Sequence, residues 1–226
     1  MQSLVGFICA VLSLLVGCAV LFYIRPKAYR TSGKAERARQ DVAKKMGFSC
    51  HTSSSANKDL LKTLLSFSLF SHSDDAQITF SMRRHAPDED IIACDCRSTA
   101  GLAHWKKVRR ETVLILRSDR LALPPFSLYT STAPRRLLDL VLSRRIAVAG
   151  HPVFSKEYLL HGSDENAIMK LFCTPVLRLL EDMKPANLEG RGDMLIMYRI
   201  SEVIRSACLD AFIQEGRRLL DMFAPM

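Results

Sequence analysis

Charge is missing from the first 24 residues of this 226-residue chain, and glycine and proline are scarce along all of it, ten and nine in number. That scarcity, with no low-complexity tract, excludes a collagen-like or broadly disordered polymer, and 48% hydrophobic against 24% charged residues supplies a core. Familiar catalytic patterns are absent too. There is no Gly-x-Ser-x-Gly elbow, phosphate-binding loop, dinucleotide fingerprint or His-Glu-x-x-His helix, so no enzyme class is indicated and no cofactor is expected. The seven cysteines, an odd and scattered set, do not make a disulfide framework and suit a reducing compartment. Cys94 and Cys96, two apart in an apolar segment, would share one face of a strand. With no second pair at zinc-site spacing they read as small buried hydrophobes, and no metal is expected.

The uncharged stretch has a second property. From Leu4 to Ile24 its only polar side chain is Ser13, and at about 1.5 Å per residue it is long enough to cross a hydrocarbon core of about 30 Å. No basic residue precedes it and it exceeds a signal-peptide core, so the expectation is a transmembrane helix over residues 1–24. Directly behind it come Arg25, Lys27, Arg30, Lys34, Arg37, Arg39, Lys44 and Lys45, opposed only by Glu36 and Asp41. Of the chain's net +9, this basic juxtamembrane linker (residues 25–47) holds +6, leaving +3 for the remainder. Retention of positive charge on the inner side predicts an inner (plasma) membrane protein with its N-terminus out and its C-terminal domain cytoplasmic. The cations from Arg25 to Arg39 would lie against an anionic lipid surface. Gly6, Ala10, Ser13 and Gly17 fall on one helix face, a small-residue stripe through which two copies of the span could pair as a homodimer.

Residues 48–226 are expected to form one α+β domain, a mainly antiparallel sheet with helices packed on one face. Residues 31–58, rich in Ser, Thr, Lys and Arg, read as a mobile tether, with an extended piece at Phe48–His51. A short helix over Asp59–Leu65 comes next, then three strands with short connections, around 78–83, 91–97 and 107–117, which predict a meander. Phe126–Tyr129, just after Pro124 and Pro125, suggests an edge strand, and Pro134 opens a helix burying Leu137, Leu138, Val141 and Leu142. Ser163 is expected to cap a helix that Pro175 kinks or splits. Met194–Ile200 is the next strand, and Ser201 caps a last helix burying Val203, Ile204, Ala207, Cys208, Ala211 and Phe212.

Three blocks stand out in combination: His151-Pro152-Val153-Phe154-Ser155-Lys156-Glu157-Tyr158-Leu159-Leu160, then Leu171-Phe172-Cys173-Thr174-Pro175, and Glu189-Gly190-Arg191-Gly192-Asp193-Met194-Leu195-Ile196-Met197-Tyr198-Arg199. Together they resemble an uncharacterised family of bacterial single-pass membrane proteins with a cytoplasmic α+β domain. The resemblance spans about residues 46–226. It implies architecture and location, and no catalytic residue. This chain departs from the pattern at Ser68, where the family usually has Pro, and at Cys96, where it has an aromatic.

The leading expectation is a protein-interaction or scaffold module at the membrane, with an unidentified protein partner. The competing one is a hydrolase-like enzyme with a site near His151, Arg191 and Asp193, joined by His161. Trp105-Lys106-Lys107-Val108-Arg109-Arg110 mixes an aromatic with cations, but a body carrying only +3 lacks the footprint of a nucleic-acid binder.

Overall fold

The computed structural model describes residues 33–51, 55–70, 73, 75–100, 107–131 and 145–224. Two compact units divide the chain, residues 1–39 and 40–226. Among the described residues no helix is long and apolar enough to cross a membrane. The run Leu4–Ile24, with Gly6, Ala10, Ser13 and Gly17, lies outside them, as do Arg25, Lys27 and Arg30.

The expected tether is in large part helical. Helix α1 (Gly33–Lys45) is built from Ala, Arg, Lys, Gln and Glu, with Glu36 in its first turn and Lys44 and Lys45 in its last, each suiting the helix dipole. Arg37 on it is exposed, whereas Arg39 is buried. Gly47, at φ +77°, ends the helix in the left-handed conformation, and the Phe48 amide reaches back to the Ala43 carbonyl at 2.9 Å. Strand β1 (Ser49–His51) and helix α2 (Ser55–Leu65) follow, then a 3-10 turn at Ser68–Phe70.

The meander is present as expected. Strands β2 (Gln77–His85), β3 (Asp90–Ala100) and β4 (Lys107–Arg117) pair antiparallel, with Ser81 opposite Cys94 and Cys94 opposite Val113. The connection 101–106, which carries Trp105, lies outside the described residues, and so does 132–144, where the helix behind Pro134 is expected. Strand β5 (Leu123–Thr130) is not an edge: it pairs with both β7 (Tyr158–Gly162) and β8 (Asn187–Gly192). Its prolines are tolerated because the pairing with β8 is irregular between Leu123 and Phe126, where Pro124 and Pro125 have no N–H to donate. Strand β6 (Arg145–Ile146) lies outside β7, and β9 (Met194–Tyr198) completes a nine-stranded antiparallel sheet in the order β1-β2-β3-β4-β9-β8-β5-β7-β6.

The β8–β9 hairpin therefore sits at the centre of the sheet, between two strands adjacent in sequence. Residues 118–122 bridge from β4 to β5 across it. Three strand spacings come to about 14 Å, within reach of six residue steps at about 3.3 Å each. The strap passes over the hairpin tip, where the Ser118 amide donates to the Asp193 carbonyl at 3.0 Å and Gly192 turns at φ +57°. The Glu-Gly-Arg-Gly-Asp block is thus the end of one strand and the turn that launches the next.

Helices cover both faces, not one. The larger core combines Leu114, Leu116, Leu128, Leu160, Leu188, Leu195 and Met197 of the sheet with helices α3 (Pro152–Glu157), α4 (Glu165–Leu171), α5 (Thr174–Asp182) and α6 (Leu209–Phe223). The opposite face carries Cys94, Cys96, Val113, Ile115, Ile196 and Tyr198, closed by Leu64, Phe67, Leu69 and Phe70 around the end of α2. Pro175 splits its helix, as expected, and occupies the first turn of α5. The cap of α4 is Asp164 and not Ser163, its side chain accepting the Ala167 amide at 3.0 Å.

The last helix starts later than expected and in another phase. Ser201 lies at φ +57°, its amide donating to the buried Glu111 carboxylate at 3.1 Å, and the Ile204 amide donates to Thr112 Oγ1 at 2.9 Å. These bonds to β4 hold 201–204 in a loop, so α6 begins at Leu209 and buries Leu209, Phe212, Ile213, Gly216, Leu219, Leu220 and Phe223. Val203, Ala207, Cys208 and Ala211 are exposed instead.

Candidate functional site

Side chains alternate across a strand, so Glu189 and Arg191 of β8 share the face closed by α2 with Ser127 and Tyr129 of β5 and His161 of β7. Ser127 is paired with both Glu189 and His161, which makes a polar row across three neighbouring strands. Over it stands the 3-10 turn, whose Ser68 amide donates to Glu189 Oε2 at 2.8 Å, while the Ser68 and Tyr129 hydroxyls hydrogen-bond each other. Between Phe67, just before the turn, and the strands lies an open groove of about 220 Å³, lined also by Phe126, Ser127, His161, Ser163 and Arg191.

Glu189 is buried, at 3% exposure, and its other oxygen, Oε1, accepts the Tyr198 hydroxyl at 3.0 Å. Arg191 is exposed and its guanidinium lies over the Phe67 ring, 5.8 Å from the centroid. His161 rests against the Tyr129 ring at 5.8 Å. The glycines here serve packing: a Cβ on Gly190 would come within 2.2 Å of the Phe126 ring, and one on Gly162 within 2.1 Å of Ile168.

Of the residues marked in the sequence, Arg191 and His161 meet in this groove, and His151 and Asp193 do not line it. His151 precedes α3, with Nδ1 3.4 Å from Glu181 Oε1, the same oxygen that accepts the Phe154 amide at 3.1 Å. Asp193 sits at the hairpin tip, 3.2 Å from Arg117 Nε. Both fix turns. Ser127 had no signal in the sequence and Ser163 stood out only as a helix cap; the topology alone brings their segments together with Phe67.

The remaining block residues are structural. Arg199 donates to Glu215 at 2.6 Å and lies over the Phe212 ring, fastening β9 to α6. Phe172 packs edge-on against Phe126 at 5.1 Å, and Phe154 stacks on Tyr158 at 5.2 Å. Cys94 and Cys96 share a face with sulfurs 3.7 Å apart, both buried; the Cys94 thiol bonded to it, and then burial, push the Cys96 thiol well above its ordinary pKa and leave it unreactive. Among the described residues no three His, Cys, Asp or Glu side chains gather as a metal site.

A single antiparallel sheet with a central hairpin and helices on both faces defines an α+β domain, with an open recess whose lining mixes polar and apolar surface. No protein-family model matches the chain and no curated protein matches it. Among solved structures it is similar in fold to the mycobacterial trehalose monomycolate transport factor A, TtfA, with a TM-score of 0.55 at 12% identity. The likeness covers 84% of this chain and 96% of that one.

Proposed function

We propose that this chain is a membrane-anchored interaction module, an accessory factor for the transport of an envelope lipid. The main support is the extent of the fold likeness to a protein described as a transport factor, which takes in nearly the whole of that chain. The sequence adds an apolar run of membrane-spanning length and a linker of net +6 behind it, which would hold the domain on the inner face of a membrane. A domain placed there meets a transporter's inner loops and the headgroups of its cargo.

Depletion of the chain tests this role. Pulse-labelling with acetate should show unchanged synthesis of the exported lipid but its accumulation in the inner membrane, and deletion of residues 1–24 should release the protein from carbonate-washed membranes and reproduce the defect. Normal export in depleted cells would overturn the role.

A further inference from the structure

We propose that the exposed face of α1 docks on anionic headgroups of the membrane that carries the chain, and so sets which side of the domain is turned toward the lipid. Helix periodicity sorts the side chains of this element. Arg37, Asp41, Lys44 and Lys45 are exposed and fall within an arc of about 100°. Ala43 points the other way and is buried in the larger core. The outward face is therefore wholly polar, with three cations against one carboxylate. Arg39, grouped by sequence with the lipid-facing cations, is buried and leaves that set, while Lys44 and Lys45 join it.

Chain length and charge both name lipid as the occupant. The apolar run ends at Ile24 and α1 begins at Gly33, an interval of about 30 Å even when fully extended. A span over that run keeps α1 within reach of the headgroups at all times. Arg25, Lys27 and Arg30 fill the interval, and no acidic residue stands between Ile24 and Glu36, so positive charge continues from the run into the helix. An acidic protein would match this charge as well, but only the bilayer is held beside it at high effective concentration. Near an anionic surface each basic side chain favours contact about fivefold, so a net of two favours the docked state about thirtyfold. Salt screens the attraction, because these side chains are exposed.

The docking rests on the membrane-anchored reading and deepens it. The full chain in nanodiscs tests it, with phosphatidylcholine alone compared with phosphatidylcholine mixed with phosphatidylglycerol, each doped with a gadolinium-headgroup lipid. Paramagnetic broadening of the Arg37–Lys45 amides should be about twofold or more stronger in the anionic discs, and high salt should erase the difference. Lys44→Glu combined with Lys45→Glu should broaden alike in both discs. Both side chains are exposed, so the melting temperature should stay near the parent's, and Arg37→Glu serves if the double variant does not fold. Equal broadening of the parent in the two discs, or a difference that survives in these variants, would overturn the docking and leave the anchor standing. A chain that enters neither disc would overturn anchor and docking together. Normal export on depletion, with the anionic effect present, would remove only the transport role.

Discussion

Tyr158 shows how much a single residue's surroundings decide. It is 1% exposed, stacked on Phe154, and its hydroxyl donates to the Leu180 carbonyl at 3.3 Å. Burial pushes its phenol from 10.0 to about 12, the Glu157 charge adding to the shift and the Ala186 backbone opposing it. The folded state therefore holds the proton more tightly than the unfolded one. This contribution to stability is complete below pH 10 and is lost as the pH rises toward about 12, a change on the order of 2–3 kcal/mol. Tyr158→Phe keeps the ring and removes the titration, so urea unfolding at pH 9 and pH 11.5 should show a flatter decline in the variant than in the parent. Tyrosine in a sequence gives no hint of this. The shift comes from burial against Phe154 and α5, which the fold rather than the local sequence arranges.

At the scale of elements, two glycines separate backbone cost from packing cost. Gly47 ends α1 at φ +77° with open space where a Cβ would go, so Gly47→Ala should cost about 1 kcal/mol through conformation alone. Gly190 has ordinary strand geometry, but its Cβ would meet the Phe126 ring at 2.2 Å, and Gly190→Ala should cost about 1–3 kcal/mol through overpacking. Adding Phe126→Leu should recover part of the second loss and none of the first, as read from urea midpoints. The elements themselves were legible to different degrees. The meander β2–β4 and the split at Pro175 could be read from alternation and proline chemistry. Strand β8 could not: its Glu-Gly-Arg-Gly reads as a turn, and only burial between β5 and β9 makes it a strand. The start of α6 was misplaced because Ser201 has the side chain of a helix cap, while the bonds to Glu111 and Thr112 that hold it elsewhere come from a strand about ninety residues earlier.

For the whole molecule, the central hairpin sets the order of stability. Strands β4, β9 and β8 are paired on both sides, whereas β1 and β6 are short edges. Hydrogen exchange should be slowest at Leu114–Leu116, Leu188–Glu189 and Leu195–Met197 and fastest at Cys50 and Ile146. An equally fast β9 would contradict the topology. Closing the sheet needs the last hairpin to arrive between strands made much earlier, so the groove at Ser127, His161 and Arg191 exists only once that insertion is complete. Of the candidate site, the sequence marked Arg191 and His161 but grouped them with His151 and Asp193, which hold turns at other places. By itself the sequence determined the α+β class, the local strands and helices, and the apolar run with its trailing cations, because those follow from periodicity and charge within a few residues. The tertiary structure alone decided that both faces of the sheet are covered and which side chains share a groove, because strand order and register are set by contacts between segments distant in the chain.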